Sequence, residues 1–388
     1  MERDSNAFAS LQHNFLQSNS KYKFDWPSWL PQSPHSIIDL LEEKKGELQK
    51  LRGTIDLVAG GPPCQGFSSA GRRNHEDPRN QLVNAYLELV DIVQPKLVLI
   101  ENVRGMQSDF KDKKGAGVVV NYAQKIVSHL SQDYDVRTEV VDVSLFGVPQ
   151  RRQRLLIIAS RKEMGLCQVD SFQLLEQMRP GFLLSKKIGS VPVSSRSAIS
   201  DLEISRSGVR PSLECAGFSE LAYSGPVTSY QRLMRDGHVG SPSDTRLARH
   251  KPHIKRRFEE IIIACQNIGR LNVSLSKEMK DFFGIQKSAL RVLDPESVSP
   301  TVTSMPDDLI HYSEPRTLTV RENARIQSFP DWFSFKGKYT SGGERRKIEV
   351  PRFTQVANAV PPLLSEAVGA ALIYLLSLRE ATRASKIS

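Results

Sequence analysis

Hydrophobic positions in the first 160 residues switch between two periods. Residues 36–51 (SIIDLLEEKKGELQKL) and 81–94 (QLVNAYLELVDIVQ) repeat them at helical spacing. Short unbroken apolar runs at 55–59 (IDLVA) and 96–101 (KLVLIE) predict buried strands. A helix near 116–131 and strands over 134–143 and 154–160 continue the series. This alternation predicts an α/β fold with a doubly wound, mainly parallel sheet. In such sheets ligands gather beyond the carboxyl ends of the strands. After Ser160 the texture becomes richer in Ser, Gly and Pro, most plainly over 161–298. Helical periodicity returns in LTVRENARIQSF (318–329), and an apolar helix follows QVANAVPP (355–362). The division expected from this texture is 1–160, 161–352, and a return to the first unit over 353–388.

Composition narrows the class. With 388 residues, 39% hydrophobic and 25% charged, the chain reads as an ordinary globular protein rather than a disordered one. The apolar run Pro362–Leu376 carries Glu366 and is short for a bilayer, so a buried terminal helix is expected and no membrane. The opening MERDSNAF is charged and has no signal-peptide apolar core, which predicts a cytoplasmic protein. Cys64, Cys167, Cys215 and Cys265 lie far apart with no CxxC pair, against a disulfide framework or a metal site. The net charge of +10 favours a polyanionic partner. Between Gln231 and Lys280 there are 11 Lys and Arg against 5 Asp and Glu, centred on RLARHKPHIKRRFEE. Arg246, Arg249, Lys255, Arg256 and Arg257 are the candidate phosphate contacts in that cluster; a solvated helix face explains the charge equally well.

Cys64 stands in DLVAGGPPCQGFSSAGRRN (56–74), just after a strand. Pro62 and Pro63 stiffen the backbone before it, and Gly60, Gly61 and Gly66 allow main chain to come close to a ligand. A reactive thiolate needs an electropositive pocket. Arg152 and Arg154, in PQRRQRLLI (149–157), alternate into a strand and point the same way. Glu101 closes the strand LVLIE, where an unpaired buried carboxylate is costly. It serves either as a proton donor facing the crevice of Cys64 or as half of a plain buried Glu–Arg pair.

Six ordered blocks resemble the DNA cytosine-5 methyltransferase family. They are ERDSNAFASLQHNF (2–15), GGPPCQGFS (60–68), ENV (101–103), QRRQR (150–154), RTLTVRENARIQSFPD (316–331) and QVANAVPP (355–362). The resemblance implies a Rossmann-like S-adenosylmethionine-dependent methyltransferase domain with a smaller target-recognition domain, 161–298 being its variable part. It implies Cys64 as the nucleophile toward carbon 6 of a flipped cytosine, and Glu101 as the group holding the ring's N3 and amine. Arg152 supports base and carboxylate, with Arg154 beside it. Gln65 and Ser68 become contacts to the opened duplex. The methyl donor is S-adenosylmethionine, with Glu2, Ile37, Leu82 and Asn358 as its pocket and no metal.

The chain departs from the family pattern in three places. The family's first motif, an aromatic and Gly-rich turn, belongs about twenty residues before Glu2 and is not found, which predicts a truncated start or a split enzyme completed by a second chain. Ser36 stands in the slot of an adenine-contacting Asp, and Ala357 where a glycine is usual. The expected activity is cytosine-5 methylation of duplex DNA in a bacterial restriction–modification system, with a cognate restriction endonuclease as its system partner and a nucleoid-associated location when on DNA. The alternative is a fragment that binds DNA and cannot methylate alone. The family's RNA-methylating branch fits less well, because its members lack a large middle region.

Overall fold

The computed structural model describes residues 1–62, 81–108, 110–111, 119–342, 345 and 348–387, with side chains as far as Leu378 except those of 110–111 and 119–120. The N-terminal segment forms helix α1 (Ser5–Leu11), capped by Asp4, whose side chain accepts from the amides of Asn6 and Ala7. Helices α2 (Ile37–Glu43) and α3 (Lys45–Lys50) share the predicted 36–51 stretch. Strand β1 (Leu57–Gly60), helix α4 (Gln81–Val93) and strand β2 (Leu97–Val103) follow. A two-residue pair, β3 (Phe110–Lys111) with β4 (Val119–Val120), leads into α5 (Tyr122–Leu130), β5 (Tyr134–Asp142) and β6 (Gln153–Arg161).

The main sheet has the order β1-β2-β6-β5. β1 runs parallel to β2, whereas β6 is antiparallel to both its neighbours. Three strands therefore share a direction, but only one of the three ladders is parallel, which differs from the mainly parallel pairing expected. The cause lies in the link from β5 to β6, which is too short to hold the helical crossover a parallel pair requires. Alternate residues of β6 serve two cores, as a sheet covered on both faces demands. Leu155, Ile157 and Ala159 pack with α4 and α5, while Leu156 and Ile158 join the larger core on the other face.

That larger core takes in α6 (Ser171–Ser185) and the last helix, and α6 lies against the sheet beside β5. The middle region then supplies α7 (Ser195–Ile199), α8 (Ile204–Ser207), the hairpin β7 (Val209–Pro211) with β8 (Ser219–Leu221), and α9 (Ser229–Met234). Helices α10 (Pro252–Asn267) and α11 (Lys277–Phe283) pack with β9 (Arg291–Val292) and β10 (Leu309–Ile310) around a small separate core of Phe258, Ile261, Cys265 and Leu290. Helix α12 (Val320–Ile326) opens with a Thr319–Glu322 capping box and is buried along its whole length. It leads to α13 (Arg352–Asn358) and α14 (Pro362–Ile387). By length and composition the helical stretch Arg352–Leu378, which takes in α13 and most of α14, could cross a membrane. Its Leu364, Val368, Leu372 and Leu375 are instead buried in the main core, as expected of a terminal helix.

Candidate active site

Glu101 sits near the carboxyl end of β2, and three contacts build a site around it. Arg154 lies on β6 opposite Val103, diagonally across from Glu101, within reach of a long side chain. Its Nε is 2.6 Å from Glu101 Oε1, and both side chains are largely buried. On the other side, a Cβ on Gly61 would stand 3.3 Å from Glu101 Oε2. The absence of a side chain at Gly61 leaves room beside that oxygen. Finally, Asn102 Nδ2 donates to the Pro62 carbonyl at 3.0 Å, which ties the start of the cysteine segment to β2.

Burial pushes the Glu101 carboxyl above the ordinary glutamate range, although Arg154 and then Arg152 pull it down. A buried carboxyl that binds its proton more tightly than in water, yet stays near two guanidinium groups, suits a proton donor facing developing negative charge. Cys64, Gln65 and Ser68 lie outside the described residues. The chain enters their segment at Pro62, directly beside Glu101.

The two arginines make different described contacts. Both are buried, and both point inward as alternation predicted. Arg154 pairs with the carboxylate, and Arg152 donates to the Ala357 carbonyl at 2.7 Å and the Val302 carbonyl at 3.4 Å while its charge still favours the ionised form of Glu101. Of the three glycines singled out in the sequence, Gly60 differs from expectation and Gly66 lies outside the described residues. A Cβ on Gly60 would fall 2.5 Å from the ring of Tyr86, so the space is taken by the protein itself rather than kept for a ligand. Tyr86 uses its hydroxyl to bridge the carbonyls of Val58 and Leu99 on adjacent strands.

Of the donor-pocket candidates, Glu2 and Ile37 come together, because the His35 amide donates to the Glu2 carbonyl at 2.8 Å. Glu2 is half-buried, and its Oε1 accepts from the Asp4 amide. Ile37 opens α2 and packs on two cores that include α4, where Leu82 occupies the first turn. Ser36 spends its hydroxyl as the cap of α2, accepting from the Ile38 amide. Asn358 is the exposed last residue of α13, which touches α1 through a Ser10–Gln355 hydrogen bond. One partly open carboxylate, two aliphatic side chains and an exposed amide fit the ribose, adenine and polar edge of an adenosyl group.

The basic cluster splits in two. Arg249, Lys255 and Arg256 are exposed and Arg257 is half-buried, while Phe258 and Ile261 of α10 point inward. Arg246 is different. Its guanidinium lies 4.3 Å from the Phe218 ring and 3.8 Å from that of Tyr339, and Arg352 approaches the far side of Tyr339 at 4.2 Å. Arg352 in turn pairs with Glu214 and Asp244. Glu214, Cys215, Arg246, Tyr339 and Arg352 line a cleft of about 420 Å³. Arg325 pairs with Asp331 at 2.6 Å and with Asp201 at 3.3 Å, all three fully buried, which makes it a member of the fold's ionic framework. Among the described residues no group of three or more His, Cys, Asp or Glu is arranged to hold a metal ion.

Sequence reasoning missed Asn102, Gln150, Gln327 and Tyr86. Asn102, Gln150 and Gln327 stand inside the blocks quoted above and Tyr86 inside the 81–94 helix, but an uncharged amide or a tyrosine at helical spacing carries no distinguishing signal.

Comparison with known proteins places this geometry in a family. The profile described as C-5 cytosine-specific DNA methylase matches residues 20–374. The Type II methyltransferase M.DdeI of Desulfomicrobium norvegicum is 31% identical, over 91% of this chain and 80% of that protein. M.XorII of Xanthomonas oryzae pv. oryzae is 28% identical, over 92% and 76%. A prophage-encoded E. coli protein described as a DNA modification methyltransferase superposes with a TM-score of 0.62 at 24% identity, over 97% of this chain and 91% of that one, which shows the shared fold. The chain belongs to the C-5 cytosine-specific DNA methylase family and is a DNA cytosine-5 methyltransferase.

Proposed function

We propose that the chain methylates cytosine in duplex DNA through a covalent cysteine adduct, as part of a bacterial restriction–modification system. The observation that carries this reading is the buried Glu101–Arg154 pair, which leaves its carboxylate open beside the entry to the cysteine segment. A cytosine inside a duplex cannot reach such a site, so the base is flipped out, with Gln65 and Ser68 against the opened helix. Cys64 thiolate attacks carbon 6 and forms the C–S bond. Glu101 gives its proton to N3 as electron density moves into the ring, leaving a nucleophilic enamine at carbon 5. Arg154 holds Glu101 in place and steadies the carboxylate once the proton has gone. S-adenosylmethionine, when bound, supplies an electrophilic methyl group. The carbon 5 proton then passes to a base such as water as the C–S bond breaks and the thiolate leaves, and N3 returns its proton to Glu101, which restores the ring.

Glu2 is suited to the ribose hydroxyls, Ile37 and Leu82 to the adenine faces, and Asn358 to the polar edge of the donor. Residues 161–352 act as the recognition region, with Arg249, Lys255, Arg256 and Arg257 on DNA phosphates and Arg246 held between rings behind them. Work on chromosomal DNA places the protein in the cytoplasm, and a type II system implies a cognate endonuclease.

A second reading has one observation in its favour. Among the described residues β1 pairs only with β2, so its other edge is open to a further strand. On this reading a second chain supplies that strand and the rest of the donor site, and the 388-residue chain alone binds DNA without methylating it.

Transfer of a labelled methyl group from S-adenosylmethionine to mixed-sequence duplex DNA, with Cys64→Ala alongside, tests both readings. Incorporation that vanishes in Cys64→Ala is the expected result. Incorporation that survives it overturns the cysteine mechanism. DNA binding without incorporation supports the second reading.

A further inference from the structure

The two carbonyls that flank Asn358 are each gripped by a buried side chain. Arg152 Nη2 donates to the Ala357 carbonyl at 2.7 Å, and Gln327 Nε2 donates to the Ala359 carbonyl at 2.6 Å. Gln327 Oε1 in turn accepts from Gln150 Nε2, and Gln150 Oε1 accepts the Val302 amide at 2.9 Å. Both glutamines are 0% exposed. Next in sequence, Ser328 adopts a left-handed conformation with φ 66°, and its Oγ accepts the Leu363 amide at 3.1 Å, in the first turn of α14. The end of α12 therefore holds both sides of the 359–363 turn.

Packing alone does not explain this arrangement. Two fully buried amides gain little over aliphatic side chains and cost much wherever one hydrogen bond is lost. A left-handed serine adds backbone strain. What the arrangement supplies is a fixed backbone at the exposed end of a seven-residue helix, where Asn358 would otherwise swing with the fraying turn.

We propose that Gln150 and Gln327 are positioning residues. Their amide pair joins the arginine block to the end of α12 and sets the Ala357–Ala359 backbone, so that Asn358 meets the methyl donor in one orientation. This rests on the reading of Asn358 as a donor contact. It predicts that the pair governs donor affinity and leaves DNA affinity alone.

The test uses the full chain with Gln327→Met, Gln150→Met and, as the reference, Asn358→Ala. Three quantities are measured: amide hydrogen exchange across residues 355–364, equilibrium binding of S-adenosylmethionine, and binding of duplex DNA. Gln327→Met is expected to speed exchange in this segment but not in β2 or β6, and to weaken donor binding about three- to tenfold, the worth of one hydrogen bond. DNA affinity should stay unchanged. Gln150→Met, one bond further away, should do the same more weakly, and it stands in if Gln327→Met does not fold. Unchanged exchange and donor affinity in both variants, alongside a weakened Asn358→Ala, would overturn the inference and leave the donor reading intact. Equal losses in donor affinity, DNA affinity and melting temperature would also overturn it, since the glutamines would then be plain core residues. An Asn358→Ala variant with full donor affinity, or a wild-type chain that binds no donor, would overturn the donor reading and the inference with it.

Discussion

At the residue scale the chemistry turns on how Glu101 holds its proton. Burial raises its pKa in the folded protein, so the group binds a proton more tightly folded than unfolded. Its favourable contribution to stability is then complete below the ordinary glutamate range and is lost as pH rises through the raised value. Activity should follow the same sign. Where transfer needs the Glu101 proton, kcat/KM declines as pH rises through that value, and Glu101→Gln should give a slow enzyme without this alkaline limb. A limb that persists in Glu101→Gln belongs to another group. Arg154 opposes the shift, so Arg154→Met should move the limb to higher pH. It should also destabilise the protein by about 3 kcal/mol at alkaline pH, where Glu101 is left charged and unpaired, and by less in acid, where Glu101 takes up a proton. Urea unfolding at two pH values checks this. That Glu101 is either paired or used was legible in the sequence, because a carboxylate at the end of an apolar strand is otherwise costly, and the structure shows the pair with Arg154. Which arginine would hold it was not. Arg152 and Arg154 both face inward, and only the antiparallel register of β2 against β6 sets Arg154 diagonally beside Glu101.

At the element scale the period of the apolar positions located helices and strands well, because each buries one face or one stripe. It could not give the direction of β6, since a fully buried strand reads alike in either orientation. Nor could it find the ionic framework of α12. Arg316 makes a bidentate contact with Glu322 at 2.7 and 2.8 Å, and His311, 0% exposed, lies behind Glu322. His311 Nδ1 accepts the amides of Ser313 and Glu314, so its Nε2 carries the hydrogen and the ring is neutral. Burial, reinforced by Arg316, lowers its pKa from 6.5 to about 3. Between these values the unfolded chain holds the extra proton, so stability present above pH 6.5 is lost as pH falls toward 3. His311→Asn keeps an acceptor for both amides and removes the titration. Its melting temperature should therefore fall less steeply than that of the wild type between pH 6.5 and 4.5, the bounds being the unperturbed His and Glu values. Parallel slopes would mean that Glu322 and its neighbours set the acid sensitivity.

At the scale of the whole molecule, charge and core are distributed by different rules. The exposed cations of the α10 region face solvent, whereas Arg246 and Arg352 are stacked on Tyr339 and line the cleft beside it. Lys255→Gln and Arg256→Gln should each reduce the slope of log affinity for DNA against log salt by about 0.9. Arg246→Gln should leave that slope nearly unchanged and lower the melting temperature instead. A fall of about 0.9 for Arg246→Gln would put its guanidinium on a phosphate. The main core, by contrast, ignores proximity along the chain: Leu97 of β2 and Leu156 of β6 share it with Leu372 and Leu375 of α14. A ribosome therefore releases one face of the sheet long before its cover exists. That face stays apolar and open until α14 has emerged, so native structure arrives late in synthesis, and the nascent chain depends on chaperones or on speed to avoid sticking to its neighbours.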